Sequence, residues 1–378
     1  MKKLVVGITA PSSIMLMLGQ LRHFKERGYK TFLLAPDHER TRAFCEKEGC
    51  ELLPVPIARE ISPLQDLKAL AIIIKHLRRV KPDIVNVGTP KMGLLGSLAG
   101  KITGVKKRIY TNRGFRFEHE NGRKKQILLA MEKIAAGAAH HVLCISKSVQ
   151  KVGIENKVFD YKKSLVINKG SSNGVNLEFF DPKLVTKDET SSLKKELKIE
   201  NNFVFGYVGR LIDRKGINEL YEAFIKLNSK NPNIKLIFVG PAEEEQISDK
   251  DFLNKLEDHP DILFLGRQFN VPIYMSVMDV FVMPAWWEGF GNTLIQAAAM
   301  GLPVISSTGT GCRDAVNDGY NGILVPPKEV DALMQAMEKL LTDDDQRKEL
   351  GENGITWSKH FDSTVIWNGM EVLYESAN

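Results

Sequence analysis

Cysteine is scarce. The four present, Cys45, Cys50, Cys144 and Cys312, form no CxxC pair and have no histidine ladder nearby. That excludes a disulfide scaffold and points to a reduced, cytosolic protein without structural zinc. Long hydrophobic runs are absent too: none reaches the roughly 18 residues a membrane span needs. Met1-Lys2-Lys3 leads into a short apolar strand and Pro11 without a small-residue cleavage site, so no signal peptide is expected. No internal repeat or low-complexity tract occurs. No GxGxxG follows the first strand, which argues against a dehydrogenase. Helix-turn-helix, RNP and zinc-finger patterns are missing as well.

What is present is an ordinary globular composition, 43% apolar and 26% charged, over 378 residues, a length that calls for about two cores. The net charge of +6 hides an asymmetry. Residues 1–170 carry 32 basic and 14 acidic side chains, and the remainder 20 basic and 32 acidic, so one half is +18 and the other −12. Halves of opposite sign suit two domains with different partners. The basic half suits a phosphorylated substrate or an anionic membrane; nucleic acid ranks last because no motif accompanies the charge.

Apolar strands alternate with amphipathic segments along the chain. Lys3–Thr9, Lys30–Ala35, Cys50–Val55, Asp83–Val87, Lys107–Thr111 and His141–Ile145 read as buried parallel strands, and Ile14–Arg27 and Leu64–Val80 as helices between them. The polar stretch Asn168–Asn202 reads as the connection between domains. A second series then starts at Phe203–Val208 and continues through Lys235–Val239, Ile262–Leu265 and Val280–Met283. Such alternation predicts an α/β protein, each domain a parallel sheet covered by helices on both faces.

Ligands of open parallel sheets sit at the carboxyl ends of the strands. Four such ends in the second half are unusual: Gly209-Arg210 with Lys215-Gly216, Gly240-Pro241, Gly266-Arg267-Gln268, and the turn Glu288 to Gln296, EGFGNTLIQ. The last joins a buried strand to a helix predicted over Thr293–Met300, with Asn292 or Thr293 as its cap. Free amides at such a turn suit a phosphate. The carboxylate of Glu288 would repel one and suits hydroxyls instead. Hydroxyl acceptors beside phosphate donors fit a sugar carried on a phosphate.

These segments resemble the retaining, nucleotide-sugar-dependent glycosyltransferases of family GT4. The likeness rests on GRLIDRKG, FLGR, MPAWWEGFGNTLIQAAAMGLPVISS and DGYNGILVPP in the second half, and on GQLRHFKERGY, TPKMGLLGSLAG and GSSNGVNLEFF in the first. It implies the GT-B fold: two Rossmann-like domains facing across a cleft, here residues 1–168 on the acceptor side and 169–357 for the nucleotide sugar, with a C-terminal helix in 358–378 returning to the first. Within the family it is most similar to bacterial enzymes that extend lipid-linked oligosaccharides for capsule, O-antigen or protein glycosylation. The implied substrates are a nucleoside diphosphate sugar, UDP-linked, carrying a hexose or N-acetylhexosamine, and a polyprenyl-diphosphate-linked saccharide. The implied location is peripheral, on an anionic membrane surface at the cytoplasmic face. No metal and no cofactor are implied.

The resemblance also assigns roles. Arg210 and Lys215 would neutralise the leaving diphosphate. Glu288 would hold sugar hydroxyls, and Gly289, Phe290, Gly291, Asn292, Thr293 and Leu294 would meet the sugar and β-phosphate. Gly209 and Arg267 would lie against the nucleotide. The chain departs from the pattern in three places. The second glutamate, eight residues after the first, is Gln296 here, a neutral partner for a ribose. The histidine of the first domain is replaced by Arg113, which cannot act as a base but can donate to a phosphate. Where glycines often follow the first strand, Ser12 and Ser13 stand.

Plainer roles compete with several of these. Arg113 could pair with Glu118 or Glu120. Trp286 and Trp287 fit packing better than a sugar platform. Arg123-Lys124-Lys125, near Ile127, Leu128 and Met131, is either a solvated face or a membrane-facing patch. The competing functions on the same fold are a nucleotide-sugar epimerase and a catalytically weakened nucleotide-sugar binder.

Overall fold

The computed structural model describes residues 1–58 and 62–376. The chain forms two compact units, Met1–Gly174 with Thr364–Asn378, and Val175–Ser363.

The first unit contains strands β1 (Lys3–Gly7), β2 (Lys30–Ala35), β3 (Glu51–Pro54), β4 (Ile84–Gly88), β5 (Lys107–Asn112), β6 (His141–Cys144) and β7 (Ser164–Leu165). They form one seven-stranded sheet in the order β3-β2-β1-β4-β5-β6-β7, every pairing parallel. The strands are near-continuous apolar runs because helices cover both faces. Leu4, Val6, Leu21 and Phe24 pack in one layer, and Val5, Leu34, Ile73 and Val87 in the other.

The C-terminal helix, Ser363–Glu375, completes the first layer by burying Ile366, Met370, Leu373 and Tyr374 there. Polar bonds fix its end. The Lys107 ammonium donates to Leu373 O at 3.0 Å and to Ser376 O, taking up carbonyls that a helix end leaves over, and to Ser376 Oγ at 3.0 Å. The carboxamide of Asn86 donates to the Tyr374 phenol at 2.7 Å.

The second unit contains β8 (Phe203–Val208), β9 (Ile234–Val239), β10 (Ile262–Phe264), β11 (Val280–Met283), β12 (Val304–Ser307) and β13 (Gly322–Val325). Its six strands run in the order β10-β9-β8-β11-β12-β13, again all parallel. In each sheet the strand order reverses once, between β1 and β4 and between β8 and β11. A crevice opens at the carboxyl ends on either side of such a reversal.

The structure corrects three local expectations. The helix expected over Ile14–Arg27 is two pieces, a 3-10 turn at Pro11–Met17 and an α-helix at Gln20–Glu26. The break is at Gly19, whose φ is 77°. The buried carboxylate of Glu48 takes the N–H groups of Gly19 and Arg22, each at 3.0 Å, and so starts the second helix there. The boundary between units lies past Gly174, not at 168. Residues 170–174 are fastened to the first unit: Ser171 N–H donates to Ile145 O at 2.7 Å, and Asn173 accepts from the Trp367 indole at 2.7 Å. Finally, the polar stretch ending at Asn202 is not featureless. It holds a helix at Lys187–Glu196 that begins with a reciprocal cap between Thr186 and Glu189.

Candidate active site

Two loops meet at the reversal point of the second sheet. The first leaves β8. Its Arg210 carbonyl accepts from the buried Tyr207 phenol at 2.7 Å, and the chain then makes a 3-10 turn over Asp213–Lys215. Asp213 holds that turn by accepting from Ser248 N–H at 2.9 Å and from Asn218 at 3.1 Å. The second loop leaves β11 and carries Trp286, Trp287 and Glu288. A backbone bond joins the two, Trp286 N–H to Arg214 O at 2.8 Å.

Two glycines permit this contact. Gly216 has φ 74°, and a Cβ there would lie 2.2 Å from Pro284 O. Gly311, in the loop after β12, has φ 75°, and a Cβ there would lie 2.3 Å from Glu288 O. That third loop also supplies the Thr310 carbonyl, which accepts Glu288 N–H at 2.8 Å. Glu288 is therefore held by its backbone from one side.

Its side chain is held from the other. Lys215 Nζ lies 2.9 Å and Arg214 Nη1 2.8 Å from the same oxygen, Oε1. The Lys215 and Glu288 side chains are only 12% and 15% exposed, so little water screens the pair. Burial alone would push the Glu288 carboxyl up; the Lys215 ammonium and Arg214 guanidinium outweigh it and hold the carboxyl below its ordinary range. Glu288 is an anion at neutral pH.

The helix after the turn spans Asn292–Ala299, with Gly291 as its N-cap and no side-chain capping bond. The cap expected from Asn292 or Thr293 is not made. The Thr293 hydroxyl instead donates to Met283 Sδ at 3.2 Å. Leu294 N–H is spent on Gly291 O and Asn292 N–H on Phe290 O, each at 3.0 Å. Among the described residues the N–H groups of Phe290, Gly291 and Thr293 find no acceptor. Phe290 itself is buried against Phe361, ring centroids 5.3 Å apart, so its side chain packs while its amide remains available.

Arg210 is partly exposed and presents Nη1 to both oxygens of Glu243 at 2.9 Å. Gly209 stands just before it, its N–H on Val239 O at 2.9 Å. Arg267 is exposed after β10, beside Gly266 with φ 62°. Gln296 is half-buried on the helix that Gly291 caps. The tryptophans are held by a hydrogen bond and by cation–π contacts. Trp286 donates its indole N–H to Glu219 at 2.7 Å under the Lys328 ammonium, and Trp287 lies 4.5 Å from the Arg214 guanidinium.

In the first unit the reversal lies between β1 and β4. Thr9 and Thr89 share a hydroxyl contact of 2.7 Å there, and Thr89 has φ 70°, costly for a β-branched residue. Ser12 and Ser13 follow β1 in the 3-10 turn, Ser12 exposed and Ser13 half-buried. Arg113 leaves the end of β5. It does not pair with Glu120, which binds Lys124 at 2.6 Å; its Nε donates to Ser172 Oγ at 2.7 Å. The guanidinium covers Gly88 so closely that a Cβ there would lie 1.6 Å from Nη1. Nη1 is buried without a hydrogen-bond partner, and burial lowers the guanidinium to about 10. It remains a cation at neutral pH with a donor to spare.

Sequence reasoning passed over three participants. Arg214 stands inside GRLIDRKG next to Lys215. Glu243 belongs to the acidic run after Pro241. The glycines of the Gly309-Thr310-Gly311 loop were the only signal that a third loop closes on Glu288.

Comparison with known proteins gives the family. Residues 188–357 match the family described as Glycosyl transferases group 1, and residues 17–179 match Glycosyltransferase Family 4. The capsular polysaccharide biosynthesis glycosyltransferase CapM of Staphylococcus aureus is 35% identical over 98% of this chain and 96% of its own. An Escherichia coli UDP-Gal:alpha-D-GlcNAc-diphosphoundecaprenol alpha-1,3-galactosyltransferase is 30% identical over 76% of this chain and 73% of its own. The structure of Anabaena Alr3699/HepE in complex with UDP is similar over 100% of both chains, with a TM-score of 0.81 at 20% identity.

Two Rossmann-like units with parallel sheets, matched by glycosyltransferase family models and by the HepE structure, define a GT-B glycosyltransferase. The chain belongs to family GT4 of these enzymes.

Proposed function

We propose that this enzyme moves a hexose or N-acetylhexosamine from a UDP-linked donor onto a saccharide carried on a polyprenyl diphosphate, with retention of configuration, during surface polysaccharide synthesis. The observation that carries the reading is the Glu288 clamp. Lys215 and Arg214 take Oε1 at 2.9 and 2.8 Å, beside the unspent amides of Phe290, Gly291 and Thr293. The carboxylate accepts from sugar hydroxyls, and the amides receive the β-phosphate. Arg210 and Lys215 stabilise the charge that gathers on the departing diphosphate. The positive charge comes from these side chains, so neither a metal nor a cofactor enters the reading.

The C1–phosphate bond breaks as the acceptor oxygen bonds C1 on the same face, and the acceptor's proton passes to the leaving phosphate oxygen. In the second unit Gly209, Arg267 and Gln296 contact the nucleotide sugar; in the first, Ser12 and Ser13 contact substrate and Arg113 offers its unpartnered Nη1 to a phosphate. The relatives' names support the donor and acceptor classes: one is a UDP-Gal-dependent enzyme acting on a diphosphoundecaprenol-linked sugar, another a capsular enzyme.

The helix Gly122–Ala138 supports a peripheral membrane location. Arg123, Ile127, Ala130 and Ile134 lie along one exposed stripe of it, Ile127 55% and Ile134 49% exposed. Leu128, by contrast, is buried and faces the core.

The test is incubation with UDP-hexoses and a polyprenyl-diphosphate N-acetylhexosamine, with the new linkage read by NMR. Transfer with the donor's anomeric configuration is expected. An inverted linkage, or epimerised donor without transfer, contradicts the reading.

A further inference from the structure

Glu288 is held asymmetrically. Both cations sit on Oε1, and among the described residues Oε2 accepts no hydrogen bond. The two cations are not equivalent. Lys215 is a point charge on a flexible stem, and its Nζ also lies 3.8 Å from Met283 Sδ. Arg214 is fastened along its length. Its carbonyl accepts Trp286 N–H at 2.8 Å, its guanidinium lies 4.5 Å from the Trp287 ring, and Nη1 reaches Trp287 O at 3.5 Å as well as Glu288.

A glutamate's terminal torsion is broad and nearly two-fold, so a lone ammonium leaves the two oxygens free to exchange. A guanidinium held over an indole, with Nη1 shared between Trp287 O and Oε1, narrows that freedom, because Nη1 can follow Oε1 to a new position only by leaving the ring and the carbonyl.

We propose that Arg214 is a specificity-determining residue: by pinning Oε1 from the face of Trp287 it presents Oε2 alone, in one direction, to a single hydroxyl of the donor sugar, and so selects among hexose epimers. This rests on the proposed function, in which Glu288 receives donor hydroxyls. A hydroxyl on the other face of the ring leaves Oε2 without its donor, and an anion left short of a hydrogen bond inside a site is expensive.

Calorimetric titration with UDP and with a panel of UDP-hexoses differing at one hydroxyl tests this, on the wild type, Arg214→Met, Arg214→Lys and each in a Glu288→Gln background. The wild type binds one epimer more tightly than the other. Arg214→Met leaves UDP affinity within about twofold and lowers affinity for the preferred UDP-hexose about tenfold, the scale of one charge-assisted bond, so the epimer ratio collapses toward one. Arg214→Lys keeps the charge without the guanidinium's hold on the Trp287 ring and carbonyl and recovers only part of the ratio. In the Glu288→Gln background the Arg214 substitutions change the ratio no further.

Loss of UDP affinity equal to that of UDP-hexose in both Arg214 variants makes Arg214 a phosphate ligand and overturns the proposal. So does an epimer ratio that survives Arg214→Met unchanged. A wild type that binds neither UDP nor any UDP-hexose removes the proposed function itself, and this role with it. Retained melting temperature in Arg214→Lys separates these results from misfolding.

Discussion

Arg210 gives a single guanidinium nitrogen, Nη1, to both carboxylate oxygens of Glu243, 2.9 Å from each. A donor diphosphate entering the site competes with Glu243 for that cation. Glu243→Gln therefore tightens UDP binding. The pair is partly exposed, with side chains 40% and 33% accessible, and such pairs are worth at most about 1 kcal/mol, so the gain is up to about fivefold. Calorimetry at two salt concentrations checks this, because the advantage shrinks as salt screens the pair. Weaker UDP binding in Glu243→Gln means that Glu243 aims Arg210 rather than occupying it.

A second carboxylate gives the fold a pH dependence of its own. Glu132 is buried in the first unit, accepting from the Tyr110 phenol at 2.7 Å and the Asn112 carboxamide at 3.3 Å. Burial pushes its carboxyl up to about 7, although the phenol pulls the other way. The folded state thus holds a proton that the unfolded chain releases near its ordinary range, about 4.3. Stability from this group is full below that range and is lost as pH rises through about 7. The loss is on the order of 3 kcal/mol. Urea melts at several pH values check it. Wild type weakens from pH 5 to 7.5 relative to Glu132→Gln, which keeps the shape without the proton. Parallel profiles of the two proteins contradict this.

Gly216 is where the two site loops depend on a missing side chain. A Cβ there would overlap Pro284 O at 2.2 Å, on backbone with φ 74°. Gly216→Ala lowers the thermal midpoint, with a cost of about 1–3 kcal/mol from the backbone conformation alone and more from the overlap. Activity falls further than stability does, because Arg214, Lys215 and Glu288 move with the loops. Gly28→Ala is the control. Gly28 also has positive φ, 85°, but nothing lies within 4 Å of its Cβ position. It reports the backbone term alone, and equal losses in the two variants would show that the overlap is relieved at no cost.

The exposed stripe on the helix Gly122–Ala138 makes a prediction about surfaces. Wild type sediments with anionic phospholipid vesicles at low salt and is released at high salt. Replacing Ile127 and Ile134 with serine weakens the binding, and replacing Arg123 and Lys124 with glutamine weakens its salt dependence. Equal binding to neutral and anionic vesicles contradicts the electrostatic half of this expectation.

Much of the fold was legible because parallel strands buried on both faces are continuous apolar runs, as in Val204–Val208 and Val280–Met283. Glu288 stood out as well, as a carboxylate after such a strand at the head of a turn with glycines at 289 and 291. What was hidden depended on partners distant in the chain. The break at Gly19 needs Glu48, which lies 29 residues away. The attachment of residues 170–174 needs Trp367, in a helix that returns from the far end of the chain. Arg214 carried no signal of its own in the sequence; the strand order brings β11 beside β8 and sets Glu288 against it. The reciprocal cap of Thr186 and Glu189 was in plain sight as T-x-x-E, obscured by the charge around it.

The most direct test of the account is the division of labour between Lys215 and Glu288, read as UDP and UDP-sugar affinities of Lys215→Ala and Glu288→Gln. The account predicts that Lys215→Ala loses affinity for UDP and its sugars alike. It predicts that Glu288→Gln keeps UDP affinity and loses only what the sugar adds, with turnover down at least about a hundredfold in both, the scale of a lost transition-state donor. UDP and UDP-sugar affinities untouched by either substitution, with turnover intact, would contradict it.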